Sequence, residues 1–299
     1  MDSYLIQGGY ALQGELTVHG AKNSVLPILA AALLNRSQEQ IRLEKVPDLF
    51  DVRAMLSILT NLGVSVSTDG ADVILRTDPA DCYHIPEQMM REMRSSIFLM
   101  GPLLGRFGKA SVCYPGGCAI GERPIDLHLS GLQALGAIIE EKNGYIHARG
   151  NLRGAEINLS YPSVGATENL IMAGVLARGE TIIHNAAREP EIIDLQNFLN
   201  ILGARVDGAG SRTVTVKGVT AVSGGCYRVY PDRIAAGTYL IAAAVTGGRI
   251  TLIDVRPEHL QSLIAILQKA GLPLEISGER VTLHSGGSFK AVKLVETEP

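Results

Sequence analysis

The chain has 299 residues, of which 46% are apolar, 19% charged and 5% aromatic, with 33 glycines and no tryptophan. That apolar share excludes a disordered chain, and the length supports a large core, most naturally in two domains. The 27 basic and 30 acidic residues leave a net charge of −3, which argues against a non-specific nucleic-acid grip and against an anionic-membrane anchor.

The start of the chain, Met1-Asp2-Ser3-Tyr4, has neither a basic n-region nor an apolar h-region, so no secretory signal is expected. Tyr4 to His19 reads as a strand pair without helices of its own. The run Val25 to Leu34 is the longest apolar stretch, and ten residues are too few to span a bilayer. Cys82, Cys113, Cys118 and Cys226 are too sparse for a disulfide framework and read as free thiols in a reducing cytoplasm.

From Lys22 onward the chain repeats itself. Four times a helical pattern stops at a glycine and gives way to two short strand-like runs; the glycines are Gly63, Gly136, Gly203 and Gly271, spaced 73, 67 and 68 residues apart. Short strands beginning at Ile41, Ala110, Thr181 and Ile250 keep the same step, each after a helix rich in small residues. The unit is therefore helix, strand, helix, glycine, strand, turn, strand, with glycine at the helix stop where a left-handed residue is needed. Units of this size are α/β layers, helices on one side and a mixed sheet on the other. Helices such as Asn169 to Leu176 and Ala235 to Val245 lack a polar face, so burial on every side is expected. Gly286 to Val292 resembles the opening of a fifth repeat.

Candidate site residues sit at the helix starts. Lys22 and Asn23 open the first helix, where Asn23 suits a cap and Lys22 suits either a solvated charge or a partner for phosphate. Arg91 and Arg94, three apart on one expected helix face, suit an anion or solvent. The segment Tyr114-Pro-Gly-Gly-Cys118-Ala-Ile-Gly-Glu-Arg123-Pro124-Ile-Asp126-Leu127-His128 holds a cysteine among charged residues. Arg123 favours a thiolate there and Glu122 opposes it. Ser163, Val164 and Gly165 precede another helix, where capping and phosphate cradling use the same free amides. Arg188-Glu189-Pro190-Glu191 and Asp232-Arg233 place charge pairs at element boundaries, the usual setting of structural ion pairs. There is no C-x-x-C, H-x-x-x-H or H-E-x-x-H, so no metal is expected; without a Walker loop or a strand-linked G-x-G-x-x-G, no nucleotide cofactor is expected either. The cations and anion-receptive helix starts point to a phosphorylated substrate.

These motifs resemble the enolpyruvyl transferase family, in the form that acts on UDP-N-acetylglucosamine. The resemblance covers the whole chain. It rests on Gly-Ala-Lys22-Asn23, Met-Arg94-Ser-Ser, the Cys118 to His128 segment, Ser163-Val-Gly-Ala-Thr, Ala-Ala-Arg188-Glu-Pro-Glu-Ile and Pro-Asp232-Arg233-Ile. It implies an inside-out α/β barrel fold, with two domains of three repeats and a site in the cleft between them. Residues 22–229 would form one complete three-repeat domain, and 1–21 with 230–299 an incomplete second one. The implied reaction moves the enolpyruvyl group of phosphoenolpyruvate to the sugar 3-hydroxyl, the first committed step of peptidoglycan synthesis, with no cofactor and with small molecules as partners. By the same resemblance Lys22 and Cys118 are catalytic, Cys118 acting as a general acid or aiding product release and being the residue that fosfomycin alkylates. Lys22 and Asn23 would also line the phosphoenolpyruvate and sugar sites. Arg94 and Arg123 would add positive charge, Arg123, Pro124, Asp126, Leu127 and His128 would hold the uridine end, and Ser163, Val164 and Gly165 the diphosphate.

Two departures stand out. Ala235 occupies a position where the family usually has an acidic residue. The family also continues for about two further repeats, carrying a Pro-x-Asp-x-Gln segment, so little turnover is expected of residues 1–299 alone. The competing expectations are a non-catalytic UDP-sugar-binding or regulatory protein ending at Pro299, and the related transferase of shikimate 3-phosphate, against which the Cys118 segment argues.

Overall fold

Four times a helix, a strand, a second helix and a β-hairpin follow one another, and the glycines at 63, 136, 203 and 271 stop the second helices with φ between 86° and 95°. A side chain disfavours that left-handed backbone, which is why the stop is glycine each time. The computed structural model describes residues 3, 5, 7–92, 94–114, 125–286 and 289–292, and the backbone alone of 91, 92, 94 and 95. Packing divides the chain into two units, Lys22–Val229 and a second made of Met1–Ala21 with Tyr230–Pro299.

The larger unit holds three repeats, each with a small sheet. The first sheet contains Ile41–Glu44, Asp72–Arg76 and Ser65–Asp69; the second Lys109–Cys113, Tyr145–Arg149 and Ile138–Lys142; the third Glu180–His184, Thr213–Lys217 and Arg205–Asp207. Each is extended by chain that follows the preceding repeat and lies parallel to the repeat's first strand. Glu156–Asn158 joins Glu180–His184 in this way, and His84 makes a single parallel bridge to Ser111. After the third repeat the chain returns to the first, as Gly225–Arg228 pairs in parallel with Ile41–Glu44. The three repeats thus close into a ring.

Helix Val164–Val175 lies at the middle of that ring, packed against the helices Lys22–Ala31, Met100–Phe107, Asp126–Ala134 and Pro190–Ile201. All ten residues from Ala166 to Val175 are buried, and each large apolar side chain among them contributes about 1.5–3 kcal/mol by leaving water. Close helix crossings make this possible. A Cβ at Gly101 would lie 2.4 Å from the Asn169 carbonyl oxygen, and one at Gly131 would lie 2.6 Å from the Leu170 methyls.

The smaller unit pairs Gln13–Thr17 in parallel with Arg249–Ile253, followed by Arg280–His284 and Leu274–Ser277. Helices Arg233–Val245 and Gln261–Lys269 cover its core of Leu240, Leu252, Ile264, Val281 and Leu283. Among the described residues no helix is long and apolar enough to cross a membrane.

Several expectations are corrected. The N-terminal stretch forms a single strand; the described residues before Gln13 carry none, and Gly9 at φ 91° breaks extended pairing there. Arg91 and Arg94 do not share a helix, because helix Glu87–Glu92 ends before the 3-10 helix Arg94–Leu99 begins. Asn23 lies inside the first turn of Lys22–Ala31 and not at its cap. Helix Arg233–Val245 is not buried on every side, since Ile234, Tyr239, Ile241 and Val245 are exposed. Of the stretch read as a fifth repeat, the described residues 286 and 289–292 form neither helix nor strand.

Position 235 has a simple local account. Asp232 caps helix Arg233–Val245, its carboxylate accepting from the amides of Ile234 (2.8 Å) and Ala235 (2.9 Å). An acidic residue at 235 would occupy the third helical position, from which it could reach back to the cap's own N–H. That N–H already donates to the His19 carbonyl at 2.9 Å, so alanine leaves no cap donor stranded.

Candidate functional site

The repeats differ from one another at one junction. In the first, third and fourth repeats a left-handed residue follows the first strand: Lys45 at φ 61°, Asn185 at φ 54° and Asp254 at φ 60°. Residues 45–49 and 185–189 then suffice to reach the next helix, whereas the second repeat uses residues 114–125. That longer connection is the cysteine-bearing segment, and it explains why Gly63 and Gly136 are further apart than the other helix stops. Cys118, Arg123 and Pro124 themselves lie outside the described residues.

Helix Asp126–Ala134 begins directly after that segment. Asp126 occupies its first position and is exposed, while Leu127 and His128 are buried. His128 turns back toward the start of helix Val164–Val175. A Cβ on Gly165 would lie 3.3 Å from His128 Cε1, 3.4 Å from its Nε2 and 3.0 Å from Phe98 Cε1. Only glycine leaves the His128 edge and the Phe98 ring this close to the helix start. Ser163 caps the same helix, its Oγ accepting from the Ala166 amide at 3.3 Å. The amides of this first turn have no partner further back in the helix, and they present a positive dipole end suited to an anion.

A residue that the sequence reading left unassigned holds these pieces together. Asn169, fully buried, accepts the Gly101 amide at Oδ1 (2.7 Å), and its Nδ2 lies 3.2 Å from the Ile97 carbonyl and 3.0 Å from His128 Nδ1. The 3-10 helix Arg94–Leu99, helix Asp126–Ala134 and helix Val164–Val175 therefore meet at one amide. Arg94 belongs to that 3-10 helix, and its side chain is outside the description. The sequence signal for Asn169 is the one side-chain amide of its helix, set directly before the apolar run Leu170 to Val175.

Lys22 and Asn23 stand at the first turn of Lys22–Ala31, half-buried and exposed respectively. Lys22 Nζ pairs with Asp51 Oδ2 at 2.9 Å, so a carboxylate on the first turn of the neighbouring helix Phe50–Asn61 aims the ammonium. One residue after Thr167, Glu168 is buried with both carboxylate oxygens lacking a hydrogen-bond partner among the described residues. Its burial first, then the charges of Glu191 and Glu189, push its pKa well above the usual carboxylate range. Among the described residues no group of three or more His, Cys, Asp or Glu side chains could hold a metal.

The family described as EPSP synthase (3-phosphoshikimate 1-carboxyvinyltransferase) matches residues 6–297. UDP-N-acetylglucosamine 1-carboxyvinyltransferase 2 of Caldanaerobacter subterraneus subsp. tengcongensis is 49% identical over the whole chain, which covers 72% of that relative. UDP-N-acetylglucosamine 1-carboxyvinyltransferase 1 of Symbiobacterium thermophilum is 50% identical over the whole chain and 68% of its own length. In fold, the chain resembles the enolpyruvyl transferase NikO of Streptomyces tendae, with a TM-score of 0.81 at 20% identity over 93% of this chain and 67% of that one. The chain belongs to the enolpyruvyl transferase family, on the branch of the UDP-N-acetylglucosamine 1-carboxyvinyltransferases.

Proposed function

We propose that this chain serves the transfer of the enolpyruvyl group from phosphoenolpyruvate to the 3-hydroxyl of UDP-N-acetylglucosamine, in the cytoplasm and at the entry to peptidoglycan synthesis. The observation that carries the reading is the cradle at the start of helix Val164–Val175. There Ser163, Val164 and Gly165 offer amides and a hydroxyl to a diphosphate, with the His128 edge beside them. Asp126 and Leu127, with Arg123 and Pro124, are assigned to the uridine end. Lys22 carries the charge that a phosphate-bearing substrate needs, Asn23 adds an amide next to it, and Arg94 and Arg123 add further cations.

The chemistry is addition followed by elimination. The sugar oxygen bonds to C2 of phosphoenolpyruvate while C3 gains a proton and the hydroxyl loses one. C3 then gives up a proton, the C2–O bond to phosphate breaks, and the enol ether and inorganic phosphate leave. Preorganised cations lower the barrier because charge develops on the departing phosphate. Cys118 is the proposed proton donor to C3.

Calorimetry with UDP-N-acetylglucosamine tests the binding half of the proposal. Binding should be measurable, should weaken about tenfold or more in Ser163→Ala/Gly165→Val, and should be undetectable with shikimate 3-phosphate. Preference for shikimate 3-phosphate would sink the reading. Fosfomycin with UDP-N-acetylglucosamine present should add mass at Cys118 and nowhere else, and Cys118→Ala should abolish it. Labelling that persists at Cys82, Cys113 or Cys226 would remove Cys118 from its assigned place.

A further inference from the structure

Asn169 is bonded in a way that leaves its amide one orientation. The Gly101 N–H can only donate, so the atom 2.7 Å from it must be the oxygen; the Ile97 carbonyl can only accept, so the atom 3.2 Å from it must be the nitrogen. Two one-way partners on opposite sides fix the flip. One hydrogen of Nδ2 goes to Ile97, and the other points at His128 Nδ1, 3.0 Å away. A ring nitrogen facing an N–H must accept, so Nδ1 carries no proton and the neutral ring carries it on Nε2. That Nε2 belongs to the ring edge set against Gly165, where a Cβ would lie 3.4 Å from it.

We propose that Asn169 is a positioning residue that sets the tautomer of His128, so that the ring presents Nε2–H as a donor to an acceptor oxygen of a nucleoside diphosphate at the start of helix Val164–Val175. This rests on the functional reading above and adds the hydrogen-bond polarity of its binding site. The opposite tautomer would aim a lone pair at the same place and repel the oxygen that the helix amides attract. The anchor is rigid for a reason visible in the packing. Asn169 is fully buried, and Gly101 lies too close to it for any side chain, so neither the amide nor its backbone partner can be displaced at low cost.

The first measurement needs no ligand: nitrogen-15 NMR of the imidazole rings in the full chain, with His128 assigned by loss of its signals in His128→Gln. The expected pattern is a protonated Nε2 and an unprotonated Nδ1 near neutral pH. A protonated Nδ1, in the neutral ring or in an imidazolium, overturns the proposal whatever the chain binds. The second measurement is UDP-N-acetylglucosamine affinity. Asn169→Asp keeps an oxygen for the Gly101 amide but places an acceptor opposite Nδ1, so the proton should move to Nδ1 and affinity should fall about tenfold. In the His128→Gln background the same change should have no further effect, because the ring it orients is gone. An equal loss in both backgrounds would mean that Asn169 acts on the fold and not on His128, and would overturn the proposal. If Asn169→Asp does not fold, the wild-type tautomer and the affinity of His128→Gln, expected to fall less than that of His128→Ala because glutamine retains a donor, decide the matter. The expected tautomer in a chain that does not bind UDP-N-acetylglucosamine would refute the functional reading and the donor role with it, while leaving the Asn169–His128 bond in place.

Discussion

Glu168 and Arg106 show how single charges are handled within the three-repeat unit. The Glu168 carboxyl holds its proton to higher pH than an ordinary carboxylate, chiefly because of burial and then because of Glu191 and Glu189, so the folded chain keeps a proton over a range in which the unfolded chain has lost it. Folded stability from this group is therefore fully present below that ordinary value and is lost as pH rises toward the raised one. Glu168→Gln, which needs no proton, should be more stable than the wild type at about pH 8 and gain little at about pH 4. Urea midpoints at the two pH values check the sign, and a wild type that gains stability relative to the variant on raising the pH would contradict it. Arg106 does the reverse and keeps its charge by spreading it over carbonyls. Its guanidinium donates to the carbonyls of Leu33, Asn35, Thr77, Asp78 and Ala80 at 2.7–3.3 Å. Arg106→Met preserves much of the volume but strands those acceptors, and should cost about 2–4 kcal/mol in chemical denaturation. A cost below about 0.5 kcal/mol would show that water replaces the bonds freely.

At the level of elements, helix crossings decide which glycines can change. Gly101 and Gly105 lie on the same helix, Met100–Phe107, one turn apart. A Cβ at 101 meets backbone of the central helix at 2.4 Å, whereas one at 105 meets the Leu34 Cδ2 methyl at 3.2 Å, which can move. Gly101→Ala should therefore lower stability by about 2–4 kcal/mol, while Gly105→Ala should stay within about 1 kcal/mol of neutral because alanine's helix propensity offsets the tighter contact. Thermal midpoints of the two variants, compared side by side, test this; equal losses would contradict it. The contrast also marks what sequence can convey. Helix stops, strand steps and the cap at Ser163 are local chemistry and were legible residue by residue, as was the irregular spacing between Gly63 and Gly136, whereas Asp232, read as half of a charge pair, caps its helix. The partner of each helix face is not local. The pairing of Lys22 with Asp51 and the amide that joins Asn169 to Ile97 and His128 depend on contacts between segments up to 72 residues apart, and no periodicity encodes those. The two apolar helices Val164–Val175 and Arg233–Val245 look alike in sequence, yet one is enclosed and the other leaves Ile241 and Val245 exposed. Burial is a property of what surrounds a helix, and composition records only its capacity to be buried.

For the three-repeat unit as a whole, one short strand converts a linear array into a ring. Gly225–Arg228 follows the third repeat but completes the sheet of the first, so the ends of the array are held by each other and no capping repeat is needed within this unit. Tyr227 is the fastening point. Its ring packs edge-on against Phe198 at 5.6 Å, and its hydroxyl bonds the Asp194 carboxylate and backbone carbonyl, both on the third repeat's helix Pro190–Ile201. An open array would unfold by nearest-neighbour steps, losing its end repeats first. A ring has no end, so weakening its closure should be felt in all three repeats. Tyr227→Ala removes a buried aromatic side chain and should cost about 3–5 kcal/mol. Hydrogen exchange should then report lost amide protection in Ile41–Glu44, Lys109–Cys113 and Glu180–His184 together, by similar free energies, because these strands exchange through opening of the same cooperative body. If protection falls only in Gly225–Arg228 and its partner Ile41–Glu44, the strand is a latch on an otherwise linear array, and the closed-ring account of this unit's stability is wrong.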